Sequence, residues 1–261
     1  MIPGVVEHIS VQSKALGGKR IPVIVYLPPG YRVNPAKRYP VLYLLHGFPG
    51  APAQFINVGD VATLSNTLTA EGKVGPMIIV MPSGTTSFLV DTEWANSVQA
   101  NSGWETFVAH DLVRAIDNRF RTIPRGASRA IGGLSEGAYG ALNIAFHHIG
   151  EFRLVEAWSP YYQADRSPVF FGRNPRLLAY NSPTDQLNRV ATKLKSSHTY
   201  IWIYCGTRDY TTKGSEAFAA RLTSLGVAHD FSIRPGRHNW SLWRSMMPSA
   251  LEIASVHLAH A

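Results

Sequence analysis

A chain of 261 residues can bury a large core as one α/β unit with excursions, and a make-up of 45% hydrophobic and 16% charged residues excludes a disordered or low-complexity polypeptide. The formal net charge of +8 invites a nucleic-acid partner, but Lys and Arg are scattered and aromatics are not interleaved with them, so none is expected. A lone cysteine, Cys205, excludes an intrachain disulfide, and no apolar run approaches the roughly 18 residues of a membrane span, so no stable membrane insertion is expected.

Val5 to Val11 and Ile21 to Leu27 alternate apolar and polar residues across a Gly17-Gly18 turn, the pattern of an antiparallel strand pair. Tyr39 to Leu45 and Met77 to Met81 are short, nearly continuous apolar runs, which predict strands buried on both faces of a parallel sheet. Helices are expected over Asp60 to Gly72 and over Trp104 to Phe120, where Phe107, Val108, Leu112, Ile116 and Phe120 recur at helical spacing. Arg114, Arg119, Arg121, Arg125 and Arg129 then fall at a helix end and in the loop after it, where cations complement the dipole. A β-like run leads to Ser135, a helix follows to about His148, and Phe152 to Trp158 reads as the next strand. From Ser159 to Ser197 the periodicity dissolves into prolines and aromatics, predicting an irregular, lid-like insertion over 159–197. A strand from Thr199 to Cys205, a helix from Ser215 to Leu225, a strand from Val227 to Ile233 and a last helix from Trp240 to about His257 complete the series. The alternation predicts one α/β domain over 1–261, with helices on both faces of a mostly parallel sheet whose N-terminal edge is antiparallel.

Gly133-Leu134-Ser135-Glu136-Gly137 places a Gly-x-Ser-x-Gly core between a strand and a helix. A serine on so tight a turn is strained, and the flanking glycines remove Cβ atoms that would clash there. A Gly-rich turn also serves close packing alone; read chemically, Ser135 is a nucleophile. Its hydroxyl then needs a base to take its proton and an acid to hold that base. Asp209 lies just past one late predicted strand and His238 just past the next, the order the α/β-hydrolase fold requires. Glu216 is the alternative acid, one turn into a helix, while Asp230 falls inside a strand. Among other histidines, His147 and His148 read as exposed helix positions and His198 as a loop residue before a strand.

An oxyanion needs two donors, and the Glu136 amide is expected to be one. The other must come from His46-Gly47-Phe48-Pro49-Gly50, where Pro49 has no N–H, so Phe48 is the first choice and Gly47 the second. His46 reads as structural and Cys205 as a small core residue, while Gly47 and Trp240 are expected to contact substrate. No HExxH, paired CxxC or Asp-rich loop is present, so neither a metal nor a cofactor is expected.

With these residues placed, the chain resembles the putative-esterase family of α/β-hydrolases, which includes esterase D (S-formylglutathione hydrolase), bacterial feruloyl esterases and the mycobacterial antigen 85 mycolyltransferases. The resemblance covers nearly the whole chain. Val25-Tyr26-Leu27-Pro28-Pro29-Gly30-Tyr31, Leu44-Leu45-His46-Gly47, Asp91-Thr92-Glu93-Trp94, Trp104-Glu105-Thr106-Phe107, the Ser135 motif and His238-Asn239-Trp240-Ser241-Leu242-Trp243 carry it. It implies Ser135 as nucleophile, His238 as base, Asp209 as acid and the Phe48 and Glu136 amides as oxyanion hole. The Trp-Glu-Thr and His-x-Trp elements look closest to the mycolyltransferases. Those typically carry Asp-Gly-Leu-Arg where this chain has His46-Gly47-Phe48-Pro49, and a Glu as triad acid where this chain has Asp209. Both departures favour hydrolysis of a small-molecule carboxylic ester through an acyl-enzyme over transfer to a sugar or glycerol hydroxyl. A binding module that has lost catalysis is a third expectation, disfavoured by the intact Ser, Asp and His. The N-terminus lacks a charged stretch followed by an apolar one, so the chain as given reads as soluble. A leader or anchor ahead of Met1 would make it extracytoplasmic, and compartment and oligomeric state are left open.

Overall fold

The computed structural model describes residues 3–85, 90–164 and 168–259, so Met1 and residues 165–167 of the expected insertion lie outside them. Strands β1 (Val5–Gln12) and β2 (Arg20–Leu27) pair antiparallel, as the alternation predicts. β3 (Val41–Leu45) is followed by α1 (Ala53–Asn57), α2 (Val61–Ala70) and β4 (Ile78–Pro82). A further helical segment runs through α3 (Trp104–Thr106), a π-helical stretch over Phe107–Leu112 and α4 (Val113–Arg119). Then come β5 (Arg129–Leu134), α5 (Glu136–His147) and β6 (Leu154–Trp158). The short helices α6 (Pro168–Phe171) and α7 (Pro175–Tyr180) and the longer α8 (Pro183–Ser196) lead to β7 (Tyr200–Arg208). The chain ends with α9 (Thr212–Leu225), β8 (His229–Arg237) and α10 (Trp240–His257).

Among the described residues, all eight strands join one sheet in the order β1-β2-β4-β3-β5-β6-β7-β8, parallel from β4 to β8. The continuous apolar runs divide their side chains between two cores, because successive residues of a strand point to opposite faces. Val23, Val25 and Leu27 face the core under α5, α8 and α9, while Ile24 and Tyr26 face the one under α1, α2 and α10. Burial on both faces leaves the carboxyl ends of the parallel strands as the exposed rim where loops can carry chemistry. Ser135, Ser159, Asp209 and His238 all lie on that rim.

Two expectations need correction. The 159–197 segment is not irregular throughout, since α8 spans fourteen of its residues. Pro183 reads as a breaker but occupies the first helical turn, where a missing N–H costs nothing. Leu187, Ala191 and Leu194 then form a buried stripe against α5 and α9, making α8 the crossover helix between β6 and β7. Only the stretch before it is an excursion, packed through Phe170 and Phe171 on Ala95. Likewise β8 runs on through Pro235 and Gly236 instead of ending at Ile233. It is an edge strand, and an edge tolerates a proline that cannot donate to a ladder.

Candidate active site

β5 ends at Leu134 and α5 begins at Glu136, so the whole reversal falls on Ser135, at φ 56° and ψ −118°. A positive φ is costly for a residue with a Cβ and persists only where the surroundings over-determine it. Here the Ser135 N–H donates to the Trp158 carbonyl of β6 at 2.9 Å, and Gly133 and Gly137 admit the β3 backbone. A Cβ on either glycine would run into the Leu45 carbonyl.

The Ser135 Oγ lies 2.8 Å from His238 Nε2. On the opposite edge of the ring, Nδ1–H donates to Asp209, 3.0 Å from Oδ1 and 3.1 Å from Oδ2, which leaves Nε2 as the acceptor for the serine proton. Asp209 also accepts from the Thr211 amide at 3.0 Å, from the Thr211 hydroxyl at 2.9 Å and from Ser159. Burial alone would raise its pKa, but the hydrogen bonds from His238, Ser159 and Thr211 outweigh that and hold it at about 2. The carboxylate is therefore ionised across the working range of an enzyme.

The β3 loop closes on the serine from the other side. A Cβ on Gly47 would sit 3.1 Å from the Ser135 Cβ and from the Leu134 carbonyl, so this position has no space for a side chain. His46 is buried, donates through Nδ1 to the Gly47 carbonyl at 2.9 Å and accepts the Gly84 amide at Nε2 at 2.9 Å. Burial pulls its pKa down to about 4, against the opposing effect of the Gly47 bond, so it is a neutral strut. Phe48 stands 41% exposed at the tip of the loop.

A sequence model described as Putative esterase matches residues 13–253. The chain belongs to this family. Esterase MT1326 of Mycobacterium tuberculosis is 38% identical over 244 residues, which cover 83% of this chain and 52% of that protein. The chain spans about half the length of that and other curated relatives it matches. A ferulic acid esterase superposes with a TM-score of 0.86 at 26% identity, over 98% of this chain and 99% of its own. FphF of Staphylococcus aureus, a fluorophosphonate-binding serine hydrolase, shares the fold with a TM-score of 0.83 at 18% identity, over 97% and 99%. The sheet order and these likenesses make the fold that of the α/β-hydrolases.

In this member of the esterase family the remaining expected residues are dispersed. Trp240, at the start of α10, makes edge-on contacts with Phe55 and Trp243 and lines a hollow beside Asp60 and Arg244; it is Trp243 whose ring meets His238, at 5.1 Å. Glu216 is exposed on α9, and the histidine's partner is Asp209. His147 and His148 are not simply exposed: both bond Glu105, at 2.9 and 3.0 Å, tying the end of α5 to α3. Arg129 is likewise buried, between Asp117 and Glu151. Cys205 is buried on β7. Among the described residues no three His, Cys, Asp or Glu side chains are arranged to hold a metal, and no helix is long and apolar enough to cross a membrane.

Several contacts escaped the sequence. Ser159, itself at φ 54°, accepts the Trp243 indole N–H at 3.1 Å while bonding Asp209, so the carboxylate is braced from the end of β6. The Glu136 side chain folds inward to bond Asp91 and the Glu93 backbone; burial first, then the charges of Asp91 and Glu93, push it well above the usual carboxylate range. Tyr161 donates to Glu93 at 2.7 Å. Tyr210, directly after Asp209, lies over the His238 ring. Only its adjacency to Asp209 could have signalled it.

Proposed function

We propose that this chain is a serine carboxylesterase and that 1–261 works as one catalytic unit. The unbroken hydrogen-bonded relay from Ser135 through His238 to Asp209 carries the assignment. Ser135 Oγ attacks the ester carbonyl as its proton passes to His238 Nε2, and ionised Asp209 stabilises the imidazolium that results. The carbonyl oxygen, now an alkoxide, accepts from the Phe48 and Glu136 amides; one such donor contributes about 10² to 10³ in rate. Collapse expels the alcohol, which takes the proton from His238 and leaves an acyl group on Ser135. Water, deprotonated by the same nitrogen, then releases the acid. Phe48 and Pro49 give an apolar lip in place of the arginine of the transferase pattern, which supports water over a sugar as acceptor.

A fluorophosphonate should label Ser135, identified by peptide mass spectrometry, and Ser135→Ala should lose labelling together with at least about 10³-fold of the rate on 4-nitrophenyl acetate. Labelling at another serine, or most activity surviving in Ser135→Ala, would refute the assignment.

A further inference from the structure

Tyr210 stands beside the two atoms between which the serine proton would pass. Its ring lies 4.5 Å from the His238 ring, tilted by 40°, and its hydroxyl sits 3.4 Å from His238 Nε2 and engages Ser135. The side chain is otherwise 73% exposed, so substrate can reach it. In the mechanism above, the oxyanion points at the Phe48 and Glu136 amides, on the β3 and α5 side of the serine. The departing oxygen must approach Nε2 to collect its proton, and the ground within reach of that nitrogen beyond Ser135 is held by the Tyr210 hydroxyl. Whatever is bonded to that oxygen therefore runs along Tyr210.

Past Tyr210 the rim opens into a cleft of about 380 Å³ between the loops that follow β6 and β7. This lies within the roughly 300 to 1,000 Å³ of small-molecule sites. Tyr210 and Thr211 form one wall, Pro160 and Tyr161 the other. The floor is Tyr162 stacked on Phe218 with centroids 4.2 Å apart, both buried, with Tyr162 further fixed by a 3.0 Å bond from its hydroxyl to Ser215. Along α9 the cleft meets Gly214 and Ala217, both exposed and small, together with Phe218 and with Arg221, whose guanidinium is bonded to Asn188. Such walls offer mainly aromatic faces and edges, which suit a flat ring, and the polar side chains of Gln163, Thr184, Thr211 and Arg221 complete the lining.

We propose that this cleft is the alcohol-side subsite, built for an ester whose alcohol portion carries a single aromatic ring, with Tyr210 as the specificity residue at its mouth. The proposal rests on the esterase assignment of the preceding subsection. Ala217→Trp fills the cleft from an exposed helix position, and Gly214→Leu fills it from the next turn.

The test compares kcat/KM for benzyl acetate, ethyl acetate and ethyl phenylacetate, which put the ring on the alcohol side, on neither side and on the acyl side. Wild type should prefer benzyl over ethyl acetate by at least about tenfold, and both filling variants should bring that ratio towards one. The ratio of ethyl phenylacetate to ethyl acetate should move less than about twofold. A shift in the phenylacetate ratio instead would make the cleft an acyl pocket, and unchanged ratios would leave it without a role in recognition; either overturns the proposal. A binding arm does not depend on turnover: benzyl alcohol should give saturation-transfer NMR signals with Ser135→Ala protein that vanish when Ala217→Trp is added. Equal signals in both proteins would also overturn it. Failure of the esterase assignment is recognised separately, by absence of fluorophosphonate labelling at Ser135 in wild type.

Discussion

The indole N–H of Trp94 donates to the His46 carbonyl at 2.9 Å and thereby pins the loop that faces the candidate nucleophile. Trp94 is fully buried, and a Cβ on Gly84 or on Gly140 would run into its side chain, so the ring is wedged between two glycine backbones. His46 is held from its other end by the Gly84 amide. The Phe48 amide can serve an oxyanion only if this loop keeps its position to a fraction of an ångström.

Trp94→Phe keeps an aromatic ring but orphans a buried carbonyl, a loss of about 1 to 3 kcal/mol. At about 2 to 4 °C per kcal/mol for a chain of this size, a melting temperature lower by about 2 to 12 °C is expected. Kinetically, kcat should fall about tenfold with KM little changed, because the donor acts on the transition state more than on the bound ester. A fall confined to KM would show that the loop binds ground-state substrate instead.

What the sequence made legible was whatever is local. A strand, one serine and a helix define the Ser135 turn within a few residues, and Asp209 and His238 are marked by their place after successive strands. Contacts assembled from distant segments left no such mark. Ser159 reaches Asp209 fifty residues away and Trp243 farther still, and Glu105 finds His147 and His148 across α3 and α5. Pro183 and Pro235 sit inside regular elements for a related reason. A proline breaks or permits structure according to whether its nitrogen falls in a first helical turn or on a sheet edge, and tertiary position decides that.

Asp209→Asn should reduce kcat by about 10³- to 10⁴-fold, since an amide misorients the base without removing it. Glu216→Gln, on an exposed helix face, should stay within about twofold of wild type. Stability carries a second signature. A carboxylate held at about 2 against an unfolded value of about 3.9 contributes stability that is complete above the unfolded pKa and lost as pH falls towards the folded one. Urea midpoints between pH 5 and pH 2 should therefore fall more steeply in wild type than in Asp209→Asn. Parallel curves would show that the pairing is not made in solution.

Glu156 lies wholly buried in β6, with its Oε2 accepting the Trp158 indole N–H at 3.1 Å and no partner at Oε1 among the described residues. Burial, only partly offset by the Trp158 bond, pushes its pKa well above the usual range. The folded protein thus keeps a proton that the unfolded chain releases above about 4.3. Stability must fall as pH rises from there towards the folded pKa, by up to about 1.4 kcal/mol per pH unit. Glu156→Gln removes that proton linkage, so the difference in urea midpoint between pH 5 and pH 8 should shrink in the variant. An unchanged difference would mean that the carboxyl ionises inside the fold.

The acceptor is the last point at which the family's activities diverge. On the proposed mechanism, a hydroxyl that replaces water would occupy the place the leaving alcohol vacates, beside Tyr210 and His238 Nε2. There the neighbouring surface is the cleft walled by Tyr161, Tyr162 and Tyr210 on one side and the exposed Phe48 lip on the other, aromatic faces that satisfy the hydroxyls of a sugar stripped of its water less well than water itself does. Each tenfold preference between two acceptors of one acyl-enzyme corresponds to about 1.4 kcal/mol between their deacylation barriers, roughly one unmade hydrogen bond to a polyol. With an acyl donor and millimolar trehalose, glucose or glycerol, mass spectrometry should find free acid in at least about tenfold excess over acylated sugar or glycerol. Ala217→Trp, which narrows the cleft without adding polar groups, should not raise the transfer product. An acylated polyol as the main product in wild type would place this chain with the transferases.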